Sequence, residues 1–539
     1  MLAAFAASLP LFVLLIGLPL LMKPAVKVAP AAWAVTVLVA ILWFGFPAKL
    51  TLLAAVQGAL FGLFPIMYIP FGALVVYNTL KATGWMDKMQ GAMANLTVDR
   101  RAQALLIGFG FGAFLEAICG FGAPVAIPAS ILVGLGYDPM MAAIVCLVAN
   151  TGPVPFGSLA IPTDTLALIT GLDLARLSQM TGRLMAPLGF LMAFATVFSM
   201  SRWKGMKGAL PTILVTGFSF AAVQLLVSNT VGATLADVLA SLVTLTALSA
   251  YLRFSSRREP WLFPGEDRAA VQPKGFHARD LVLSWLPYLL LTVLIILVNL
   301  PSTKPLFAGR APGWEWMAVK FQIYNPAKLY TFAWLQSPGT IMLIAGFLAF
   351  PFLGIGPGAV MGQFGKTARQ MIPSFVAVAS ILSIAEVMNL SLPLVDPKTK
   401  LAIWGVIGDK HPSMVATLAN AIVSSVSAKV YPLFAPLFGT LGAFLTGSNT
   451  SSNALFGNLQ KLTAQGMGLS DILMASAGSA GASAKMISPQ SIVIAATAVG
   501  LLGAEGKIMR QTVKYAVGYV ALLGLMTWVA AFLVPGIVP

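Results

Sequence analysis

Long apolar stretches recur along the chain with short polar connectors between them, and runs of roughly 17–25 apolar residues predict helices that cross a bilayer. Residues 2–22 and 31–46 predict a first pair of spans, with Lys23 and Lys27 between them. Residues 50–80 hold Gly58, Gly62, Pro65, Pro70 and Gly72, which predicts one long, interrupted span. In the connector 81–101, Trp85, Met86, Met89, Met93 and Leu96 recur at helical spacing, as in a short helix lying on the membrane surface. Further spans are expected at 184–200, 209–229, 233–252, 281–300, 330–353, 371–391 and 515–537, and a second surface helix at 413–428.

Two stretches break this pattern in the same way. Residues 108–162 (GFGFGAFLEAICGFGAPVAIPASILVGLGYDPMMAAIVCLVANTGPVPFGSLAIP) are apolar, yet they hold a glutamate, an Asn-Thr pair, many glycines and several prolines. About 330 residues later the same grammar returns as GAFLTGSNTSSNALFGNLQ (442–460) and SAGASAKMISPQSIVIA (479–495), with GAFL at both Gly112–Leu115 and Gly442–Leu445. Broken backbone at membrane depth is tolerated only where protein or a watery cavity covers it. Each copy is expected to hold two interruptions whose half-helix ends face a common pocket. At this offset Glu116 lies opposite Thr446 and Cys119 opposite Asn449, while Asn150-Thr151 lies opposite the region of Ser483–Lys485.

Charge supplies the sidedness. Lys and Arg gather in the connectors 81–101, 201–208 and 253–280, which places those inside. The Trp- and Pro-rich connector 301–329 and both termini are then expected outside. On that count the first broken stretch starts at an inner loop and the second at an outer one, so the copies have opposite orientation. With 58% hydrophobic and 9% charged residues, the composition excludes a water-soluble domain. The net charge of +16 has no continuous basic stripe behind it, so it reads as loop bias and no nucleic-acid partner is expected. Cys119 and Cys146 lie in apolar runs without metal or disulfide spacing. The run beginning at Leu2 lacks a basic leader segment and is expected to be a span.

Glu116, flanked by Leu115 and Ala117, is costly in its charged form at such a depth and is the candidate proton carrier. Lys485 is the candidate cation for a carboxylate substrate, with a structural pair to Glu116 as the alternative. Ser448, Asn449, Thr450, Ser451, Ser452 and Asn453 are consecutive small polar residues, suited to a hydroxylated anion or to a dehydrated Na+. Asn150 and Thr151 are their first-copy counterparts, and Ser488 and Gln490 are expected to complete the pocket. Glu386 is a second candidate acid, near the outer interface. Arg183 is either an interface anchor or a cavity cation, and His277 and His411 read as solvent-facing loop residues. No HExxH or clustered-acid motif points to an intramembrane enzyme, and neither a metal nor an organic cofactor is expected.

FGAFLEAICGFGAPVAI (111–127), NTGPVPFG (150–157), FLTGSNTSSNALF (444–456) and KMISPQSI (485–492) resemble the L-lactate permease family, over most of the chain. That resemblance implies uptake of short 2-hydroxymonocarboxylates in bacteria, generally with a proton, across the inner membrane. It also implies re-entrant hairpins within two inverted repeats, often in a homodimer. A familiar form of the serine-rich motif has Asp where Asn449 stands here, which moves the proton-carrying role to Glu116 and keeps Na+ as the alternative coupling ion. Residues 386–412 also depart from the familiar form.

The expected architecture is an all-α polytopic membrane protein of about 12–14 spans, two inverted repeats with broken helices. Its expected parts are N-terminal spans (1–80), a first transport repeat with its surface helix (81–183), and linking spans with an inner loop (184–280). Second-half scaffold spans (281–412), a second transport repeat (413–503) and a C-terminal span (504–539) follow. The expected activity is proton-coupled import of L-lactate, with D-lactate or glycolate as alternative substrates. A Na+-coupled carboxylate symporter and a passive anion channel are the competing readings.

Overall fold

The computed structural model describes residues 2–21, 23–94, 96–120, 122–254, 260–266, 278–300, 302–325, 329–391, 393–395, 402–407 and 412–539. His277, His411, most of the charged loop 253–280 and much of 386–412 lie outside the described residues. Helices dominate, as they must where lipid offers backbone N–H and C=O groups no partner. Among the described residues, eight helices are long and apolar enough to cross a membrane, or nine with one bent pair counted as a span. The larger expected number, about 12–14, takes folded and broken helices piece by piece.

The N-terminal part holds α1 (Leu2–Leu15), α2 (Ala25–Leu42) and a bent span made of α3 (Ala48–Phe61) and α4 (Tyr68–Ala82). The interruption expected from Gly62 and Pro65 lies between α3 and α4, where Phe64 leaves helical geometry. The amphipathic connector forms α5 (Trp85–Ala94), with Met86, Met89 and Met93 buried.

The first broken stretch comprises α6 (Arg100–Ile118), α7 (Ala123–Gly134), α8 (Pro139–Ala149) and α9 (Gly157–Thr170). Residues 184–200 and 209–229, expected as two spans, lie in the two arms of α10 (Leu174–Thr230), which breaks and turns at Arg202, where φ is 54°. Its arms lie antiparallel, because Ser178 Oγ donates to the Ser228 carbonyl at 2.8 Å. A straight helix of 57 residues would run roughly 85 Å, nearly three bilayer cores, so the fold-back is what lets it fit. Next comes α11 (Ala233–Phe254), then α12 (Ala278–Asn299) after the charged loop.

The connector after α12 contains a short antiparallel pair, β1 (Val319–Phe321) with β2 (Tyr330–Phe332), which the apolar pattern does not announce. Then follow α13 (Pro338–Ala349) and α14 (Pro357–Met388). α14 is longer than the expected 371–391 and carries Lys366 and Arg369 within it. It packs on α3 at very short range: a Cβ on Gly58 would lie 2.4 Å from the Leu382 carbonyl, and Gly62 faces Ala379 in the same way. The GALFG spacing thus lets two backbones touch, as small residues four apart do in lipid. Ser383 Oγ seals the crossing with a 2.7 Å bond to the Ala55 carbonyl.

The segment expected as a second surface helix forms the helix α15 (Met414–Ser425). The second broken stretch comprises α16 (Tyr431–Thr446), α17 (Asn449–Gly466), α18 (Asp471–Gly481) and α19 (Pro489–Ala498), and α20 (Glu505–Phe532) closes the chain. Short helix, helix, break, helix, turn, helix, break, helix therefore occurs twice. The breaks fall at 119–122 and 150–156 in one copy and at 447–448 and 482–488 in the other. The copies pack reciprocally, α7 against α19 and α9 against α17.

Candidate functional site

All four breaks open into one cavity of about 120 Å³ between the two copies. Its wall includes Glu116, Asn150, Lys485 and Gln490, the polar run Ser448–Ser451, and Ser374, Ala377 and Val378 from α14. The starts of four half-helices meet there: Gly122 before α7, Gly157 and Ser158 at α9, Asn449–Ser451 at α17, and Gln490 with Ser491 at α19. First-turn N–H groups lack partners within their own helix and carry partial positive charge, so four of them together suit a small anion.

Glu116 and Lys485 form the charged centre. Lys485 Nζ donates to Glu116 Oε1 at 2.8 Å, and Asn150 Nδ2 donates to Glu116 Oε2 at 2.9 Å. The Glu116 side chain is 6% exposed and that of Lys485 14%, so the pair is largely desolvated while still reaching the cavity. Three breaks are tied by these two bonds, since Glu116 precedes the first, Asn150 opens the second and Lys485 lies in the fourth. The last turn of a helix carries partial negative charge, an unfavourable place for the Glu116 carboxylate, and the two donors offset that.

The backbone beside this pair is strained. Ser158, Leu159 and Ala160 have φ of 48°, 57° and 68°, three consecutive left-handed residues without a glycine among them. Such geometry costs roughly 1–2 kcal/mol per residue and persists only where the surroundings impose it. Preceding them, Gly157 lies under the carboxylate: a Cβ there would sit 2.7 Å from Glu116 Oε1. Only glycine leaves room for the acid in this position.

The comparisons with known proteins match the chain over nearly its whole length. The family model for L-lactate permease matches residues 3–534. The chain belongs to the L-lactate permease family. It is 36% identical to the L-lactate permease of Salmonella typhimurium, covering 100% of this chain and 97% of the relative. Against the L-lactate permease of Bacillus subtilis it is 35% identical, covering 98% and 96%. The glycolate permease GlcA of Escherichia coli is 34% identical, with 99% and 97% covered. A solved structure of Neisseria gonorrhoeae MtrF, described as one of a class of antimetabolite efflux pumps, aligns with TM-score 0.44 and 10% identity, covering 88% of this chain and 82% of that one. The Alcanivorax borkumensis YdaH transporter aligns with TM-score 0.34 and 15% identity over 83% and 87%. A member of the L-lactate permease family with this set of apolar helices is a multi-pass transporter of the bacterial inner membrane rather than an enzyme.

Not every candidate residue reaches the cavity of this family member. Ser448, Asn449, Thr450 and Ser451 line it, with Ser448 Oγ capping α17 through the Ser451 N–H. Asn449 spends its amide on the Ser479 carbonyl at 3.0 Å, leaving a buried Oδ1 without a partner. Ser452 and Asn453 lie one turn further along the helix, past the cavity and in the packing between helices. Ser452 Oγ donates to the Gly439 carbonyl, and Asn453 Nδ2 donates to the Pro162 carbonyl at 2.8 Å, joining the two copies. Thr151 and Ser488 are buried behind the wall, each with an unpartnered hydroxyl.

Glu386 accepts a 2.8 Å bond from Tyr324 OH and lies away from the cavity. Arg183 is held by the Asn229 side chain and the Ile537 carbonyl, which makes it an anchor rather than a cavity cation. Both cysteines are buried as free thiols. The sequence reading missed Ser374 and the left-handed run at 158–160. A lone serine in an apolar scaffold helix gives no warning of the first, while NTGPVPFGS is the only hint of the second.

Proposed function

We propose that this chain imports a small 2-hydroxymonocarboxylate, L-lactate or glycolate, by proton symport. The observation that carries the proposal is the Glu116–Lys485 pair in the cavity between the two broken stretches. Relatives named L-lactate permease and glycolate permease supply the substrate class. While Glu116 is ionised it occupies Lys485, and the substrate carboxylate has no free cation. Protonation of Glu116 removes that competitor. Lys485 and the half-helix N-termini then hold the substrate carboxylate, with the substrate hydroxyl on Ser448, Thr450 or the unpartnered Asn449 Oδ1.

Proton and anion thus enter together, and the loaded centre carries the same net charge as the empty one. That equality eases passage through a low-dielectric region. The reciprocal packing of α7 on α19 and α9 on α17 supports a two-fold relation between the copies, as inverted repeats require. Opposite orientation, and with it alternating access around a fixed site, belongs to this proposal.

Asn449 Oδ1 and its hydroxyl neighbours favour one second reading, coordination of Na+ as the coupling ion. Uptake of radiolabelled L-lactate into proteoliposomes under an imposed pH gradient alone, and under a Na+ gradient alone, separates the two. Proton symport requires accumulation with the first and none with the second. Equilibration without accumulation under either gradient indicates a channel.

A further inference from the structure

A second pocket, about 440 Å³ and open to the surface, lies between α9 and the connector 302–338. Its wall carries two cations, Lys304 and Arg310, both exposed, beside Asn299, Thr331 and Gln336. No carboxylate lies within ion-pair distance of either cation among the described residues. Pro338 and Ser337 place the start of α13, a helix of 12 residues, in the same wall. Ser337 is its N-cap, yet the hydroxyl makes no capping bond; it is 4% exposed and unpartnered. A helix N-terminus, an idle buried hydroxyl and two unpaired cations around one pocket are the parts of an anion site. Asp164 also lines it, and whenever ionised it opposes tight binding of an anion there.

The pocket's position says which anion. Helix α9 is the wall it shares with the central cavity: Gly157, Ser158 and Pro162 face the cavity, while Ile161, Asp164 and Leu168 face the pocket. One helix, roughly 10 Å across, separates the two. That same helix begins with the strained left-handed run, the one stretch of wall whose geometry is held against its own preference.

We propose that this pocket is a second, weaker station for the substrate monocarboxylate, held by Lys304, Arg310 and the N-terminus of α13 before or after it passes α9. The inference rests on the reading of this chain as a lactate or glycolate carrier. In proteoliposomes at low ionic strength, Lys304→Gln with Arg310→Gln raises KM for L-lactate roughly tenfold, the lower end for charged clefts, with the KM difference shrinking in high salt. Lys304→Arg with Arg310→Lys keeps KM, and Asp164→Asn lowers it. An unchanged KM in the double glutamine variant overturns the station.

Equilibrium binding isolates the pocket. Lys485→Ala protein, whose central cavity has lost its cation, keeps weak, salt-sensitive binding of radiolabelled L-lactate, and adding the double glutamine change removes it. If Lys485→Ala protein binds none while the unaltered protein takes up L-lactate, the station falls and the carrier stands. If the unaltered protein takes up no L-lactate, the reading of its function falls, and the station with it.

Discussion

Glu116→Gln, Lys485→Met and the double variant together test the charged centre. The two groups are 2.8 Å apart with side chains 6% and 14% exposed, so neither charge has bulk water to fall back on. Removing one partner of a buried pair costs about 3–5 kcal/mol, because a lone charge remains, whereas removing both is close to neutral. Each single variant is therefore destabilised, and the double variant recovers most of the loss. The assay is a double-mutant cycle on stability in detergent, run beside equilibrium binding of L-lactate across pH. Lys485→Met weakens binding about 10- to 100-fold, from the roughly 1.5–3 kcal/mol of a charged hydrogen bond. Glu116→Gln binds without pH dependence, since no carboxylate competes for Lys485, and it keeps exchange while losing pH-driven uptake. Additive stability losses, or an unaltered pH response in Glu116→Gln, would refute the coupling of these two residues.

Three further outcomes follow from contacts elsewhere. Gly157→Ala puts a methyl group 2.7 Å from Glu116 Oε1, so uptake falls and its pH profile moves while the protein still folds; an unchanged profile would separate α9 from the acid. Gly58→Leu drives a side chain into the Leu382 carbonyl at the α3–α14 crossing, and the expected result is loss of folded protein on size exclusion rather than a selective transport defect. Arg100 donates two hydrogen bonds to Glu266, at 2.6 and 3.0 Å, which holds that carboxyl below its ordinary value of 4.5. Because the folded value is the lower one, this contact stabilises segment 260–266 above pH 4.5 and fades as pH falls through the lowered value. Proteolysis of that segment should rise at acid pH, and Glu266→Gln should show the acid-like cleavage already at neutral pH.

The breaks were legible because Gly, Pro and polar residues inside long apolar runs have a single physical excuse, a covered pocket. Asn150, Lys485 and the start of the Ser448–Asn453 run carried that signal directly. What the run could not say was where its helix begins. Once α17 starts at Asn449, Ser452 and Asn453 lie about one turn, roughly 5.4 Å, further along the helix, past the cavity and in the packing. The approach of Lys485 to Glu116 spans 369 residues of chain and follows only from the reciprocal packing of the copies. The β1–β2 pair is too short, at three residues a strand, to leave a period in the sequence. Arg202 could be read only as a connector, since a left-handed arginine has no pattern of its own.

The account stands on a proton and a carboxylate sharing one centre at Glu116 and Lys485. The most direct measurement is L-lactate accumulation in proteoliposomes driven by a pH gradient, with the unaltered protein and Glu116→Gln side by side. The account predicts concentrative uptake in the first and only exchange in the second. Equal accumulation in both, or accumulation driven by Na+ and indifferent to pH, would contradict it.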